Sequence, residues 1–174
     1  VENQHVINYL KYINEGNDPV VAETDPNYSI YYDYLTVVNT IVEHQNETAY
    51  DLIFLATEYN CLGATDGCAI TNTGQLLNDT WLISERPWYL DLGSSEEKFT
   101  IPYIDAITGD YTFTYVQRVY DGDNLIGYLG IDMSLVSLGT LVENIDKEIN
   151  GEIAEVLVFT NYNQDPKLAF YSKD

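Results

Sequence analysis

Apolar residues recur at helical spacing at the start of the chain, where Val6, Ile7, Leu10 and Ile13 fall on one stripe that ends at Gly16, predicting an amphipathic helix. Past the turns at Pro19 and Pro26, Ser29 to His44 repeats that spacing through Ile30, Tyr34, Leu35, Val38, Ile41 and Val42, which predicts a second helix. The pattern changes over Ala49 to Thr57, where Leu52-Ile53-Phe54-Leu55 is a continuous apolar run of the kind found in a central strand. Residues 57–80, rich in Gly, Asn and Thr, predict a loop with room for a short strand at Cys68 to Thr71. Lys98 to Ile104, Tyr111 to Tyr120 and Leu125 to Asp132 predict three strands of an antiparallel meander, with turns at Thr108-Gly109-Asp110 and Asp121-Gly122-Asp123-Asn124. Helical spacing returns from Ser134, a credible N-cap, to Asn150, and Glu155 to Thr160 and Lys167 to Tyr171 close as strands. The expected class is α+β. The organisation is N-terminal helices over 1–46, a sheet module over 47–150, and closing strands or the start of another module over 151–174.

With 174 residues, 45% of them hydrophobic, one domain can build a core without metals. Charge narrows the partners. With 28 acidic against 7 basic residues the net charge is −21, spread along the chain, and such a surface repels nucleic acid and anionic lipid. No apolar run of about 18 residues and no leader-like pattern occurs, so neither a membrane span nor a signal peptide is expected within the segment. The ends at Val1 and Asp174 read as the edges of a piece of a longer chain.

Chemistry of the catalytic kind has no anchor. His5 and His44 are the only histidines and neither sits near a candidate nucleophile or metal-ligand partner; no Gly-x-Ser-x-Gly, His-Glu-x-x-His or phosphate-cradling loop occurs, and no cofactor or metal is expected. Asp121 to Asn124 lacks the further oxygen ligands of a calcium loop and reads as a hairpin turn. Cys61 and Cys68 suit either a loop disulfide or two buried thiols.

One short region carries a different inventory: Arg86-Pro87-Trp88-Tyr89, then Pro102-Tyr103-Ile104-Asp105, then Gly127 to Asp132. A guanidinium clamps a carboxylate bidentately, aromatic rings exclude water around a ligand, and a pair of Asp carboxylates accepts from an ammonium. Each residue also has a purely structural reading. Arg86 could pair with Asp105 or Asp132, Trp88 and Tyr89 could be core aromatics, and Asp132 could cap a helix starting near Ser134. Along Tyr111 to Tyr120, Tyr111, Phe113, Tyr115 and Gln117 share one face and Thr112, Thr114, Val116, Arg118 and Tyr120 the other, without revealing which lines a cavity.

The order Arg86-x-Trp88-Tyr89, Thr100-x-Pro102-Tyr103-x-Asp105 with Thr108-Gly109, and Gly127-x-x-Gly130-Ile131-Asp132-x-Ser134-Leu135 resembles the extracytoplasmic Cache sensor domains of bacterial and archaeal transmembrane receptors. The resemblance implies a PAS-like antiparallel sheet with N-terminal helices packed on it, in the membrane-distal module of a double Cache domain. It also implies a small-molecule ligand, an amino acid or other small carboxylate, with Arg86, Trp88 and Tyr89 on its carboxylate and Tyr103, Asp105 and Asp132 facing its amine. Trp81 stands where the amino-acid-sensing branch usually has Tyr. Trp81, Arg86, Trp88, Tyr89, Tyr103, Asp105, Tyr115 and Asp132 are therefore the candidate ligand-binding residues, in a domain expected outside the cytoplasm between transmembrane helices. The rival expectation is a ligand-free module that pairs with a second copy through the stripe of the first helix, as a homodimer.

Overall fold

A computed structural model of the chain describes residues 3–44, 51–59, 66–77, 81–134, 155–162 and 165–173. Helix α1 (Gln4–Asn14) starts where the Asn3 side chain accepts from His5 N, and its apolar stripe, with Tyr9 and Tyr12, is buried. Helix α2 (Tyr28–His44) lies against it, with the Tyr9 and Tyr34 rings stacked 4.4 Å apart. Both phenols are too deep for water and each finds a carbonyl: Tyr9 OH donates to Pro19 O at 2.6 Å and Tyr34 OH to Ile70 O at 3.1 Å. The stripe that motivated a pairing surface is thus spent inside the domain, against the sheet and α2.

Among the described residues the main sheet has seven strands: β1 (Leu52–Thr57), β2 (Cys68–Thr71), β3 (Leu76–Leu77), β4 (Glu97–Phe99), β5 (Tyr103–Ile104), β6 (Tyr111–Asp121) and β7 (Asn124–Ser134). Their order is β3-β2-β1-β7-β6-β4, with β5 also on β6, and every pairing is antiparallel. β8 (Glu155–Tyr162) and β9 (Asp165–Lys173) pair antiparallel with each other. Cys68 is buried and disulfide-bonded, while Cys61 lies outside the described residues.

Both faces of the sheet are covered, which explains the unbroken apolar run in β1. Ile53, Leu55 and Ile70 join α1 and α2 in one core, and Phe54, Ala56, Ala69, Val116 and Tyr128 form a second core on the opposite face. Two glycines of the β7 motif let these layers close. A Cβ on Gly127 would stand 2.6 Å from Ala56 O and 2.9 Å from the Leu10 side chain, and one on Gly130 would overlap the Phe54 ring. Gly130→Ala is expected to destabilise the domain by about 1–3 kcal/mol, read from the urea midpoint, because Phe54 is wedged on Trp88 with ring centroids 5.2 Å apart.

Three sequence expectations need correction. The single strand over Lys98 to Ile104 is two short ones. Thr114 N is met by the Thr100 hydroxyl at 2.9 Å instead of a carbonyl, Ile101 N turns to Asp91 Oδ2 at 3.1 Å, and Pro102 has no N–H to pair. Ser134 ends β7 opposite Thr112 and is part of the ladder; the helix expected beyond it lies outside the described residues. A 3₁₀ turn (Ile83–Glu85) and a six-residue helix α3 (Pro87–Leu92) occupy a region for which the pattern predicted no element.

Candidate functional site

Helix α3 crosses the second face of the sheet and carries the Arg-x-Trp-Tyr motif. Arg86, in extended conformation, precedes Pro87 at the first helical position, where a missing N–H costs nothing. The 3₁₀ turn before it is held by Ser84 Oγ donating to Asp66 Oδ2 at 2.6 Å. The far end is fastened by β6 and β4. Arg118 donates from Nη2 to Gly93 O at 2.5 Å and from Nε to Ser95 O at 2.9 Å, and Lys98 Nζ lies 2.7 Å from Asp91 Oδ1. Cations on the carbonyl end of a helix also suit its dipole.

Between α3, the sheet and the 105–110 turn lies a narrow cleft of about 20 Å³, room for about one water molecule. Six of the eight candidate residues line it: Trp81, Arg86, Trp88, Tyr103, Asp105 and Asp132. Two do not. Tyr89 follows Trp88 on a helix, where consecutive side chains diverge by about 100°, and its hydroxyl donates to Glu58 Oε1 at 3.0 Å beside the Tyr128 ring. Tyr115 stands opposite Ile131 on the helix-facing side of the sheet and donates to Glu97 Oε2 at 2.5 Å. The cleft-facing side of β6 is the one that carries Thr114, Val116 and Arg118.

The cationic end rests on an aromatic support. The Arg86 guanidinium sits 5.4 Å from the Trp81 ring centroid, and Nε donates to Leu82 O at 3.0 Å. None of the ion pairs among the described residues involves Arg86, so the internal salt bridge to Asp105 or Asp132 is not formed. Trp88, only 2% exposed, backs this wall with its ring among those of Phe54, Trp81, Tyr89 and Tyr128. It is core and wall at once.

The acidic end is built on three strands. Asp132 lies within β7, not at a helix start, and is 5% exposed. Thr114, its register partner on β6, donates to Oδ1 at 2.6 Å, and Tyr103 OH lies 2.5 Å from Thr114 Oγ1. Since the single Thr114 hydroxyl proton goes to Asp132, Tyr103 is the donor to Thr114. Burial first, then the charges of Asp105 and Asp51, push the Asp132 carboxyl up to about 7 against the pull of the Thr114 and Tyr103 hydroxyls. Tyr103 is likewise raised, by burial and then by Asp132. Asp105 ties its own turn, accepting at Oδ1 from Ile107 N at 3.0 Å and Thr108 N at 2.7 Å. Beyond Asp105 and Asp132 the cleft meets a second, roomier compartment of about 120 Å³, lined also by Asp51, Asp110 and Thr112.

Thr114 and the apolar wall of Leu52, Phe54, Leu77 and Ile107 carry no signal in the sequence that would place them at this cleft. Only the strand register, Leu52 and Thr114 both opposite Asp132, puts them together. Among the described residues no group of His, Cys, Asp or Glu is arranged to hold a metal ion, and no helix is long and apolar enough to cross a membrane.

The architecture is that of the ligand-binding domains of chemoreceptors, the fold that the motif resemblance implied. The ligand-binding domain of Campylobacter jejuni chemoreceptor Tlp3, solved with L-norvaline, superposes with a TM-score of 0.52 at 17% identity, over 97% of this chain and 59% of that one. That of Pseudomonas fluorescens chemoreceptor CtaA with L-isoleucine gives 0.51 at 19%, over 91% and 56%. That of the Pseudomonas aeruginosa amino acid chemoreceptor PctC with GABA gives 0.52 at 16%, over 90% and 61%. The chain thus spans less than two thirds of each of these domains. No protein-family model matches the sequence, and no curated protein sequence matches it.

Proposed function

We propose that this chain is the membrane-distal, ligand-binding part of an extracytoplasmic receptor domain, which takes a small amino acid or related carboxylate into the cleft between α3 and β7. The observation that carries the reading is a guanidinium held on Trp81 without an acidic partner among the described residues, in the same small cleft as two carboxyl groups. In this reading Arg86 receives the ligand carboxylate, Asp132 and Asp105 with Tyr103 receive its ammonium, and Trp81 and Trp88 flank its stem. Leu52, Leu77 and Ile107 favour an aliphatic side chain. The ligands of the three similar domains, L-norvaline, L-isoleucine and GABA, each carry one carboxylate and one amino group, which supports this pairing of ends.

Residues 47–150 form the binding module with 1–46 as its helical support, and 151–174 begin a second, membrane-proximal module, as the greater length of the similar domains suggests. Transmembrane helices flank the complete domain, and ligand binding is passed on as a displacement of the N-terminal helices. A thermal-shift screen of amino acids, organic acids and amines tests the reading. A ligand at a hundred times its Kd stabilises by about 2.7 kcal/mol, or about 5–10 °C in Tm for a domain of this size. Arg86→Ala is expected to keep the unliganded Tm and weaken binding roughly 10- to 100-fold through loss of the charge-assisted pair. A screen in which no compound raises Tm overturns the proposal.

A further inference from the structure

We propose that the cleft exchanges a proton for its ligand: Asp132 holds a proton in the unliganded domain and releases it to water as an ammonium group arrives beside it. This rests on the amino-acid reading above and deepens it.

Every element packed around Asp132 contributes to the case. β6 supplies the Thr114 hydroxyl at 2.6 Å and β5 the Tyr103 hydroxyl behind it, both able to donate. The residue before β1 is Asp51, whose N–H donates to Asp132 O at 2.9 Å and whose carboxylate accepts from Ser134 N. The 105–110 turn supplies Asp105, and Asp110 lines the adjoining compartment. Arg86 lines the cleft, but its contacts are Trp81 and Leu82, and no ion pair between it and Asp132 is formed.

Asp132 is therefore a buried carboxyl facing two other carboxylates, with hydroxyl donors and no cation in ion-pair reach among the described residues. Water is excluded from it and like charges oppose its ionisation, which is why it titrates near neutrality. An incoming R–NH₃⁺ reverses that balance. The neutral carboxylic acid becomes a carboxylate paired with the ammonium, and one H⁺ leaves to solvent per ligand bound. Affinity for an amine-bearing ligand then rises with pH up to about 7 and levels off, falling about tenfold for each pH unit below that point. A carboxylate without an amine gains nothing at this end and releases no proton.

The test is a carbon-13 NMR titration of the aspartate carboxyls in the wild type, with Asp132→Asn identifying the signal that disappears. The probes are L-valine, L-norvaline and 4-aminobutyrate, with 3-methylbutanoate as the amine-free control, and the indole signals of Trp81 and Trp88 report occupancy. The expected result is a midpoint near 7 without probe, ionisation down to pH 5.5 with a bound amine probe, and no change with 3-methylbutanoate. An Asp132 signal already ionised at pH 5.5 in the free protein overturns the exchange, as does a bound amine probe that leaves the midpoint in place. A free midpoint near 7 with no probe moving either indole removes the amino-acid reading, and the exchange with it, so the two failures are told apart.

Discussion

Trp88→Ala unfolds the domain about 3–5 kcal/mol more easily, lowers Tm on the order of 10 °C, and abolishes ligand binding even where the variant remains folded. The indole is 2% exposed, and four aromatic rings have centroids within 6.3 Å of its own. Removing it leaves a cavity shared by β1, β7 and α3, which rigid strands cannot collapse to fill. It also removes the support beneath Trp81, on which the guanidinium rests. Urea denaturation measures the first effect, and the thermal shift with a bound ligand measures the second. Trp88→Phe, which keeps a ring against Phe54, retains most of the stability. A loss below about 1 kcal/mol for the alanine variant contradicts the placement of Trp88 as the hub of this core.

Asp132→Asn has effects of opposite sign on stability and on binding. A carboxyl that titrates at 3.8 in a solvated chain and at about 7 in the fold binds its proton more tightly when folded. Between those two values the folded state keeps a proton that the unfolded chain has released, so stability falls as pH rises through that window. The full penalty, roughly 4 kcal/mol, is present above about pH 7 and vanishes below about pH 4. An amide cannot ionise, so the variant is expected to exceed the wild type by about 8–16 °C in Tm at pH 8.5 and to match it at pH 4. It also loses the negative charge for an ammonium, and amine-bearing ligands no longer shift Tm. A variant less stable than wild type at pH 8.5 contradicts the pH assignment. A cost of this kind, retained at one position, is what a functional site looks like in a stability ledger.

Much of this was legible in the chain. The stripe of Val6, Ile7, Leu10 and Ile13 gave α1 its range, and the turns at Gly109 and Gly122 marked the meander, since glycine adopts their positive φ without strain. The motif order also brought six of eight candidate residues to one cleft. What escaped was local or relational. α3 has six residues and β3 two, too few for any periodicity to register. Alternation in β6 separated Tyr115 from Thr114 correctly, but a sheet buried on both faces offers no polar side from which to orient it. Tyr89 shares the Arg-x-Trp-Tyr motif with Trp88, but successive side chains on a helix point in different directions. Thr114 carried no signal, because its importance comes wholly from standing across from Asp132.

On the proposed reading, the two-sided sheet also fixes how far the effect of a bound ligand must travel. Ile131 and Asp132 are successive residues of one strand, as are Ile53 and Phe54 of its neighbour, and in each pair one member belongs to the helix layer and the other borders the cleft. No relay of intermediaries is required between chamber and scaffold. A nudge to the backbone at Asp132 is already a nudge to Ile131, delivered through a single peptide bond.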